Sequence, residues 1–491
     1  MGHITKHLAV GALVTALLAA GLHPQAAQAQ YFGRNQVQYK NFDFQVLKTE
    51  HFDIYFYPKE EQAARAAGVL AERWYTRLSQ LFSHELRGRQ PVIYYADHPD
   101  FEQTNALGAT PDEATGGATE VFKRRIVLPF AGPMGETDHV LGHELVHAFQ
   151  YDMTGQGKPI SETSYPAAVR LPLWFIEGMA EYLSVGPNDP HTAMWMRDAL
   201  VHDRLPNMRQ LSDPQYFPYR FGQAFWAYLA GRWGDGIVAR ILNAAGRGRT
   251  AQQALEAVLR VPVDSLIDEW HESIRFAYRS LLEGAGKEDT LRVPVLTREN
   301  SGRINTSPAL SPDGKKIVYL SEKDQLAIEM FLANTDTGKV IRKLVKTALD
   351  TRYESLEFIN SAGAWAPDNR RFVFGAIAKG RPVLSIMDTE LGSIVREIPL
   401  PDIGEVINPS WSPDGGAIAF SGILGGLSDL FVYDLGRDSL ERITDDIYAD
   451  LQPAWSPDGQ RIAFATDRYS SRTSEYVFGN YRLAVWDRDT G

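Results

Sequence analysis

Asn408-Pro409-Ser410-Trp411-Ser412-Pro413-Asp414-Gly415 reads as the end of one strand and the turn into the next, and the chain spells it four times. The other copies are Ser307-Pro308-Ala309-Leu310-Ser311-Pro312-Asp313-Gly314, Ala364-Trp365-Ala366-Pro367-Asp368-Asn369 and Gln452-Pro453-Ala454-Trp455-Ser456-Pro457-Asp458-Gly459. Their aspartates are 55, 46 and 44 positions apart. Proline presets φ at the second position of such a turn, Asp hydrogen-bonds nearby backbone, and Gly or Asn tolerates the left-handed corner. A β-rich triplet follows each copy: Ile317-Val318-Tyr319, Phe372-Val373-Phe374, Ile418-Ala419-Phe420 and Ile462-Ala463-Phe464. A second strand then runs toward Asp336, Asp388, Asp434 or Asp487. A repeat of roughly 45 residues built from short strands predicts propeller blades over 300–491. The last copy reaches Gly491 just after its expected third strand. Blades bury their faces on one another around a closed ring. Either the stretch 291–297 closes that ring or the sequence is a piece of a longer chain, and the second is the expectation.

Upstream the pattern changes. Gly284-Ala285-Gly286-Lys287-Glu288-Asp289 is small and polar, so 284–299 reads as a linker. Within 30–283, Phe52-Asp53-Ile54-Tyr55-Phe56-Tyr57 alternates like a strand and Pro91-Val92-Ile93-Tyr94-Tyr95 is a compact apolar one. Between them Ala67, Leu70, Ala71, Trp74, Leu78 and Leu81 recur at helical spacing. Beyond Pro129 helical patterns dominate. The expectation is multidomain: an α+β domain with a mixed sheet in front and helices behind, followed by an all-β propeller.

The local signal with most chemistry is His143-Glu144-Leu145-Val146-His147, inside a helical run over 138–151. Two histidines at i and i+4 lie one turn apart on one helix face, so both imidazoles can reach a single Zn²⁺ at about 2.0–2.1 Å. Glu144 stands beside the first of them, placed to take a proton from a water that the metal has acidified. A catalytic zinc site needs a third protein ligand and one open position. Thirty residues on comes Leu173-Trp174-Phe175-Ile176-Glu177-Gly178-Met179-Ala180-Glu181-Tyr182, with Pro172 before it and Pro187 after. Glu177 and Glu181 again share one face of an otherwise apolar helix, and buried acids need a cation or donors. Glu177 is therefore assigned as the third ligand, and Glu181 as the acid that holds a ligand histidine in its correct tautomer.

Two resemblances follow. The repeats over 300–491 resemble the Trp-Ser-Pro-Asp-Gly type of β-propeller found in TolB. His-Glu-x-x-His followed by Trp-x-x-Glu-Gly-x-Ala-Glu-Tyr resembles the gluzincin metallopeptidases, which implies a zincin-like fold, one Zn²⁺ per chain on His143, His147 and Glu177, and a peptide or protein substrate. In that clan the Glu of Trp-x-x-Glu-Gly is a ligand and the acid four residues later supports a histidine, matching Glu177 and Glu181. The order Tyr31-Phe32-Gly33, Thr49-Glu50-His51-Phe52-Asp53-Ile54-Tyr55, zinc helix and Pro-Asp-Gly blades is similar to large exported bacterial proteins that join such a domain to a TolB-like propeller. Arg124-Arg125-Ile126-Val127-Leu128-Pro129 resembles the edge strand on which gluzincins align substrate. Gly116-Gly117-Ala118-Thr119-Glu120 resembles the Gly-x-Met-Glu-Asn strand of the aminopeptidases of the clan, yet puts Thr119 where the Glu belongs and turns Glu120 to the other side. An endopeptidase is therefore expected over an aminopeptidase. Several gluzincins draw an oxyanion donor from a downstream tyrosine. In Tyr216-Phe217-Pro218-Tyr219-Arg220-Phe221-Gly222-Gln223 the choice falls on Tyr219 over Tyr216. His139 reads as a plain helix residue, and His51, His98, His191, His202 and His271 fit no ligand spacing.

Composition narrows the rest. Across 491 residues, Lys and Arg total 50 against 61 Asp and Glu, a net charge of −11, which argues against a nucleic-acid partner. No cysteine is present, so disulfides, thiolate metal sites, cysteine nucleophiles and lipobox lipidation are excluded. Lys6, an apolar run over 8–22 and Ala27-Gln28-Ala29 read as a signal peptide over 1–29, with no membrane-spanning segment after its cleavage. The protein is expected in the periplasm, on the outer membrane or secreted from a Gram-negative bacterium. The leading reading is a zinc peptidase with Glu144 as general base and a propeller that admits substrate or docks an envelope protein. The competing reading is a cell-envelope binding or scaffold protein in which the propeller is functional and the zinc domain is structural or inactive. A serine peptidase is excluded, since no Gly-x-Ser-x-Gly elbow occurs.

Overall fold

The computed structural model describes residues 39–108, 111, 114–155, 165–284, 294–302, 304–324, 328–345, 353, 355–356 and 363–491. The signal peptide read over 1–29 and most of the expected linker lie outside these.

Alternation at Phe52, Ile54 and Phe56 sends three side chains into the core from one face of β2 (Phe52–Phe56). β1 (Gln45–Lys48) pairs antiparallel with it on one side, and β3 (Gln90–Tyr95) parallel on the other. A parallel pair needs a long crossover, supplied by α1 (Glu61–Phe82), whose Ala67, Leu70, Trp74 and Leu78 are buried. The chain then runs through β4 (Ala118–Glu120) and β5 (Arg125–Pro129), giving the sheet order β1-β2-β3-β5-β4. The stretch expected as the substrate-aligning edge is thus an inner strand, with Ile126, Val127 and Leu128 buried. The edge is β4 instead. It folds back antiparallel on β5 through a turn that holds Arg124 at φ 54°, so the outermost position goes to the segment carrying Thr119.

Helices fill the remainder: α2 (Met134–Thr154), α3 (Leu173–Val185), α4 (Pro190–Val201), α5 (Pro218–Trp233), α6 (Gly236–Gly246), α7 (Ala251–Leu259) and α8 (Val263–Ala277). α2 extends beyond the periodic stretch 138–151 at both ends. α3 begins directly after Pro172, as a proline without an amide hydrogen permits.

Four antiparallel sheets make up the propeller part. They are β6 (Asn305–Leu310), β7 (Lys316–Ser321), β8 (Glu329–Asn334) and β9 (Val340–Val345); β10 (Ser355–Leu356) and β11 (Ala364–Trp365), both paired with β12 (Arg371–Ala378), then β13 (Arg381–Asp388) and β14 (Ser393–Pro399); β15 (Glu405–Trp411), β16 (Ala417–Leu424), β17 (Leu427–Asp434) and β18 (Ser439–Arg442); and β19 (Asp450–Trp455), β20 (Arg461–Thr466) and β21 (Arg482–Asp487). Each repeated turn joins the first two strands of a blade. In the first, Ser311 Oγ meets Asp313 Oδ1 at 2.7 Å and Gly314 turns the corner at φ 71°. Two of the repeated tryptophans tie blade to blade: Trp365 Nε1 donates to Ala309 O at 2.9 Å and Trp455 Nε1 to Ser410 O at 3.2 Å. Of the stretch 291–297, the described part forms no strand. Val295 O accepts from Asn300 Nδ2 and Leu296 packs beside Tyr319 and Phe331 of the first blade; residues 291–293 of the stretch lie outside the described residues.

The propeller is packed on the N-terminal part. The tip between β16 and β17 enters it: Leu427 bridges to Gly132 and joins the N-terminal core. Gly426, at φ 88°, lies where an added Cβ would come 2.7 Å from the Phe130 ring. The excursion between β20 and β21 meets α1, with Arg73 donating to Tyr476 O at 2.6 Å.

Candidate metal centre

α2 presents His143, Glu144 and His147 on the side facing α3, all three less than 8% exposed. Its opposite side sends Leu141, Leu145 and Phe149 into the core. Glu177, one turn into α3, reaches between the two rings. Its Oε2 lies 3.2 Å from His143 Nε2 and 3.2 Å from His147 Nε2, and those two nitrogens are 3.2 Å apart. Among the described residues this trio is the one group of three or more His, Asp or Glu side chains arranged to hold a metal ion.

The far side of each ring states which nitrogen carries the proton. Glu181 Oε2 stands 3.1 Å from His143 Nδ1, and a carboxylate can only accept, so Nδ1 donates. Gln150 Oε1 stands 2.8 Å from His147 Nδ1 while its amide nitrogen donates to Ile176 O at 3.0 Å. That second bond fixes the amide orientation, so His147 Nδ1 is likewise the donor. In their neutral form both imidazoles therefore aim bare Nε2 lone pairs at each other and at a carboxylate. Three acceptors converging without a hydrogen among them is the arrangement a cation satisfies.

Electrostatics agree with that. Burial by itself lowers the His143 pKa, but hydrogen bonds to Glu177 and Glu181 and the charge of Glu144 outweigh it and push it up to about 10. Burial likewise opposes ionisation of Glu177, yet the two imidazoles hold it well below the usual carboxylate range. The spot favours positive charge.

Of the residues singled out in the sequence, His143, His147, Glu177, Glu181 and Glu144 come together here. Tyr219, on the first turn of α5, stacks its ring on His143 with centroids 5.7 Å apart. Burial, then the charges of Glu177 and Glu144, raise its pKa, so it stays a hydroxyl donor. Tyr216 packs against Phe221 instead, 5.2 Å between ring centroids. His139, on the same helix, has its Nε2 3.6 Å from Glu181 Oε2, beyond hydrogen-bond reach. Elsewhere His51 pairs with Glu72 and His271 with Pro206 O, away from the cluster.

Sequence reasoning missed three partners. Gln150 lies three residues after His147, a helical spacing that could have revealed it. Arg220 donates to Glu181 Oε1 at 2.8 Å and to Asp189 Oδ1 at 3.1 Å, a link between α5, α3 and the start of α4 with no local signature. Thr119, on the edge strand, has its hydroxyl 2.7 Å from Glu144 Oε2 and 2.8 Å from Glu144 O. Gly117 lets that strand approach, since a Cβ there would come 3.3 Å from Glu144 Cγ. Glu120 turns away, accepting from the amides of Phe122 and Lys123.

Residues 128–270 match the family described as peptidase of plants and bacteria. That stretch contains every member of the cluster except Thr119. Residues 361–476 match the family described as TolB beta propeller domain, so the C-terminal part is a TolB-like propeller. Among solved structures, TolB from Acinetobacter baumannii is 23% identical, with 47% of this chain and 58% of that one covered and a TM-score of 0.32. The β-propeller domain of the trilobed protease from Pyrococcus furiosus is 18% identical, with 37% and 55% covered and a TM-score of 0.26. The chain spans less than two thirds of the length of each. No curated protein matches it.

Two effects are expected from the supporting bonds. Arg220→Met frees Glu181 from its clamp, and loss of such an outer partner weakens metal affinity roughly 10- to 100-fold. Competition with a chromogenic chelator measures this; a folded variant with unaltered zinc affinity refutes the role. Thr119→Val removes a hydrogen bond to a charged group, worth about 1.5–3 kcal/mol. Should the cleft hydrolyse peptides on a bound zinc, the change is expected to lower kcat about tenfold or more at unchanged zinc content, with Thr119→Ser restoring most of the rate. Equal rates for Thr119→Val and wild type dispose of it.

Proposed function

We propose that the N-terminal part is a zinc-dependent peptidase of gluzincin type, most simply an endopeptidase, that holds one Zn²⁺ per chain on His143, His147 and Glu177. The observation that carries this reading is the convergence of two Nε2 atoms and one carboxylate oxygen, each about 3.2 Å from the others, beside Glu144, whose carboxylate accepts from Thr119. A match to a peptidase family over 128–270 supports it. Zinc supplies Lewis acidity there, polarising a carbonyl and acidifying water.

The chain's own residues do the rest. Glu144 accepts the proton of the attacking water and later delivers it to the leaving amine, with Thr119 keeping its carboxylate aimed into the cleft. Tyr219, uncharged and one ring contact from His143, donates to the oxygen that gains charge as the carbonyl becomes tetrahedral. Glu181 and Gln150 hold the two imidazoles in the tautomer that binding needs. Backbone groups along the free side of β4 align an extended peptide by strand addition. Thr119 in place of an amine-binding acid leaves the cleft without a reader for a free amino terminus, which favours internal cleavage.

The propeller, packed against the same domain, is assigned to substrate access or docking of an envelope protein. Export to the periplasm or beyond fits the leader-like apolar run; among the described residues no helix is long and apolar enough to cross a membrane. The test combines metal analysis with digestion of a diverse peptide library, with and without chelator. About one zinc per chain and chelator-sensitive cleavage at internal bonds are expected. Identical digests under both conditions would transfer the function to the propeller as a scaffold.

A further inference from the structure

The metal cluster is not isolated from the surface. A row of rings leads outward from it: Tyr219 stacks on His143, Phe217 lies 5.2 Å from Tyr219 and Trp195 lies 5.7 Å from Phe217, centroid to centroid. Two segments build this row. Phe217 and Tyr219 flank the proline that opens α5, and Trp195 comes from α4, which Asp189 ties to α5 through Arg220. Behind the row Phe221 is buried 6.1 Å from Trp195 and supports it from the core side. The outer rings are not buried: Phe217 is 41% exposed and Trp195 37%, with Met194 beside it at 53%. Large apolar side chains held in contact with one another yet facing water mark a place where another apolar group is received. Arg220 and Asp189, which tie the two segments together, are paired with each other, and Arg220 also with Glu181.

We propose that Tyr219, Phe217 and Trp195 form a subsite that takes a bulky aromatic or aliphatic side chain of an extended peptide, adjacent to the bond held at the metal centre. This rests on the peptidase reading and adds to it the class of substrate. Continuity decides the occupant: the innermost ring touches a metal-binding imidazole, so whatever lies on the row is joined to what lies at the metal. A charged or small side chain would leave the row hydrated and gain nothing from it, whereas a phenyl or leucyl group buries apolar area on both sides.

Two blocked hexapeptides test this, identical except for a central Phe-Phe or Ala-Ala pair. With zinc-loaded wild type, kcat/KM is expected to be at least about tenfold higher for the Phe-Phe peptide, and Phe217→Ala and Trp195→Ala should each erase most of that preference while leaving zinc content and Ala-Ala cleavage unchanged. Binding to Glu144→Gln, followed by fluorescence anisotropy of labelled peptides, separates the two ideas. Preferential binding of the Phe-Phe peptide without any turnover in wild type would keep the subsite and sink the peptidase reading. Equal kcat/KM or equal binding for the two peptides, or equal losses on both peptides in Phe217→Ala, overturns the subsite.

Discussion

Glu144→Gln is expected to bind about one zinc per chain like wild type and to lower kcat by roughly 10²–10⁴, the usual contribution of a positioned acid or base. The two halves of this outcome have separate causes. Metal retention follows because Glu144 touches none of the atoms that converge on the site: His143 is held by Glu181 and Glu177, and His147 by Gln150 and Glu177. Gln has the same shape, and its amide oxygen still accepts from Thr119, so the edge strand keeps its place. Lost activity follows because an amide cannot take a proton from water near neutral pH. Zinc content by atomic emission and turnover of any peptide found in the library digest measure the two halves. A glutamine variant with wild-type kcat would remove Glu144 from the mechanism, and with it the argument that the site is built for hydrolysis.

Gly178→Ala is expected to cost about 3 kcal/mol or more and to abolish zinc binding in whatever protein still folds. α3 and α5 cross with glycine on glycine: a Cβ on Gly178 would lie 2.4 Å from Gly222 Cα and 2.9 Å from Gln223 N. These are backbone atoms, so no rotamer change relieves the clash, and the helices must separate. Glu177 and Glu181 ride on α3 and Tyr219 and Arg220 on α5, so separation moves a ligand and its support apart together. Thermal unfolding and zinc titration report the two consequences. An unchanged melting temperature and affinity in Gly178→Ala would show that the two helices can part at this crossing without cost. A purely local substitution on the same helix, Leu173→Ala at a position 63% exposed, serves as the control and is expected to alter neither.

Much of this centre was readable before any coordinates, and for one reason. His143 and His147, and again Glu177 and Glu181, are related by the helical period, so each pair shares a face whatever the rest of the chain does. Local turn chemistry did the same for the blades: Pro-Asp-Gly sets its own corner, and three copies of it with one Pro-Asp-Asn announce four hairpins. Less was readable where partners come from different segments. That 124–129 would be an inner strand depended on β4 folding back outside it, a choice made by the Arg124 turn and by Gly117 yielding room to α2. Arg220 carried no signal, since its meaning lies wholly in the two acids that α3 and the loop before α4 bring to it.

The amino-acid sequence alone determined that His143 shares a helix face with His147 and Glu177 one with Glu181, and it determined the repeat, because these are periodic or nearest-neighbour properties carried by the backbone geometry of single elements. That Glu177 meets both histidines came from the packing of two helices. Only the tertiary structure decided that Thr119 aims Glu144, that Arg220 anchors Glu181, and that the tip between β16 and β17 seats Leu427 in the N-terminal core. Those contacts join residues from 25 to nearly 300 positions apart, and which of many chemically similar side chains meet at such distances is settled by how the helices cross and which strand is left outermost.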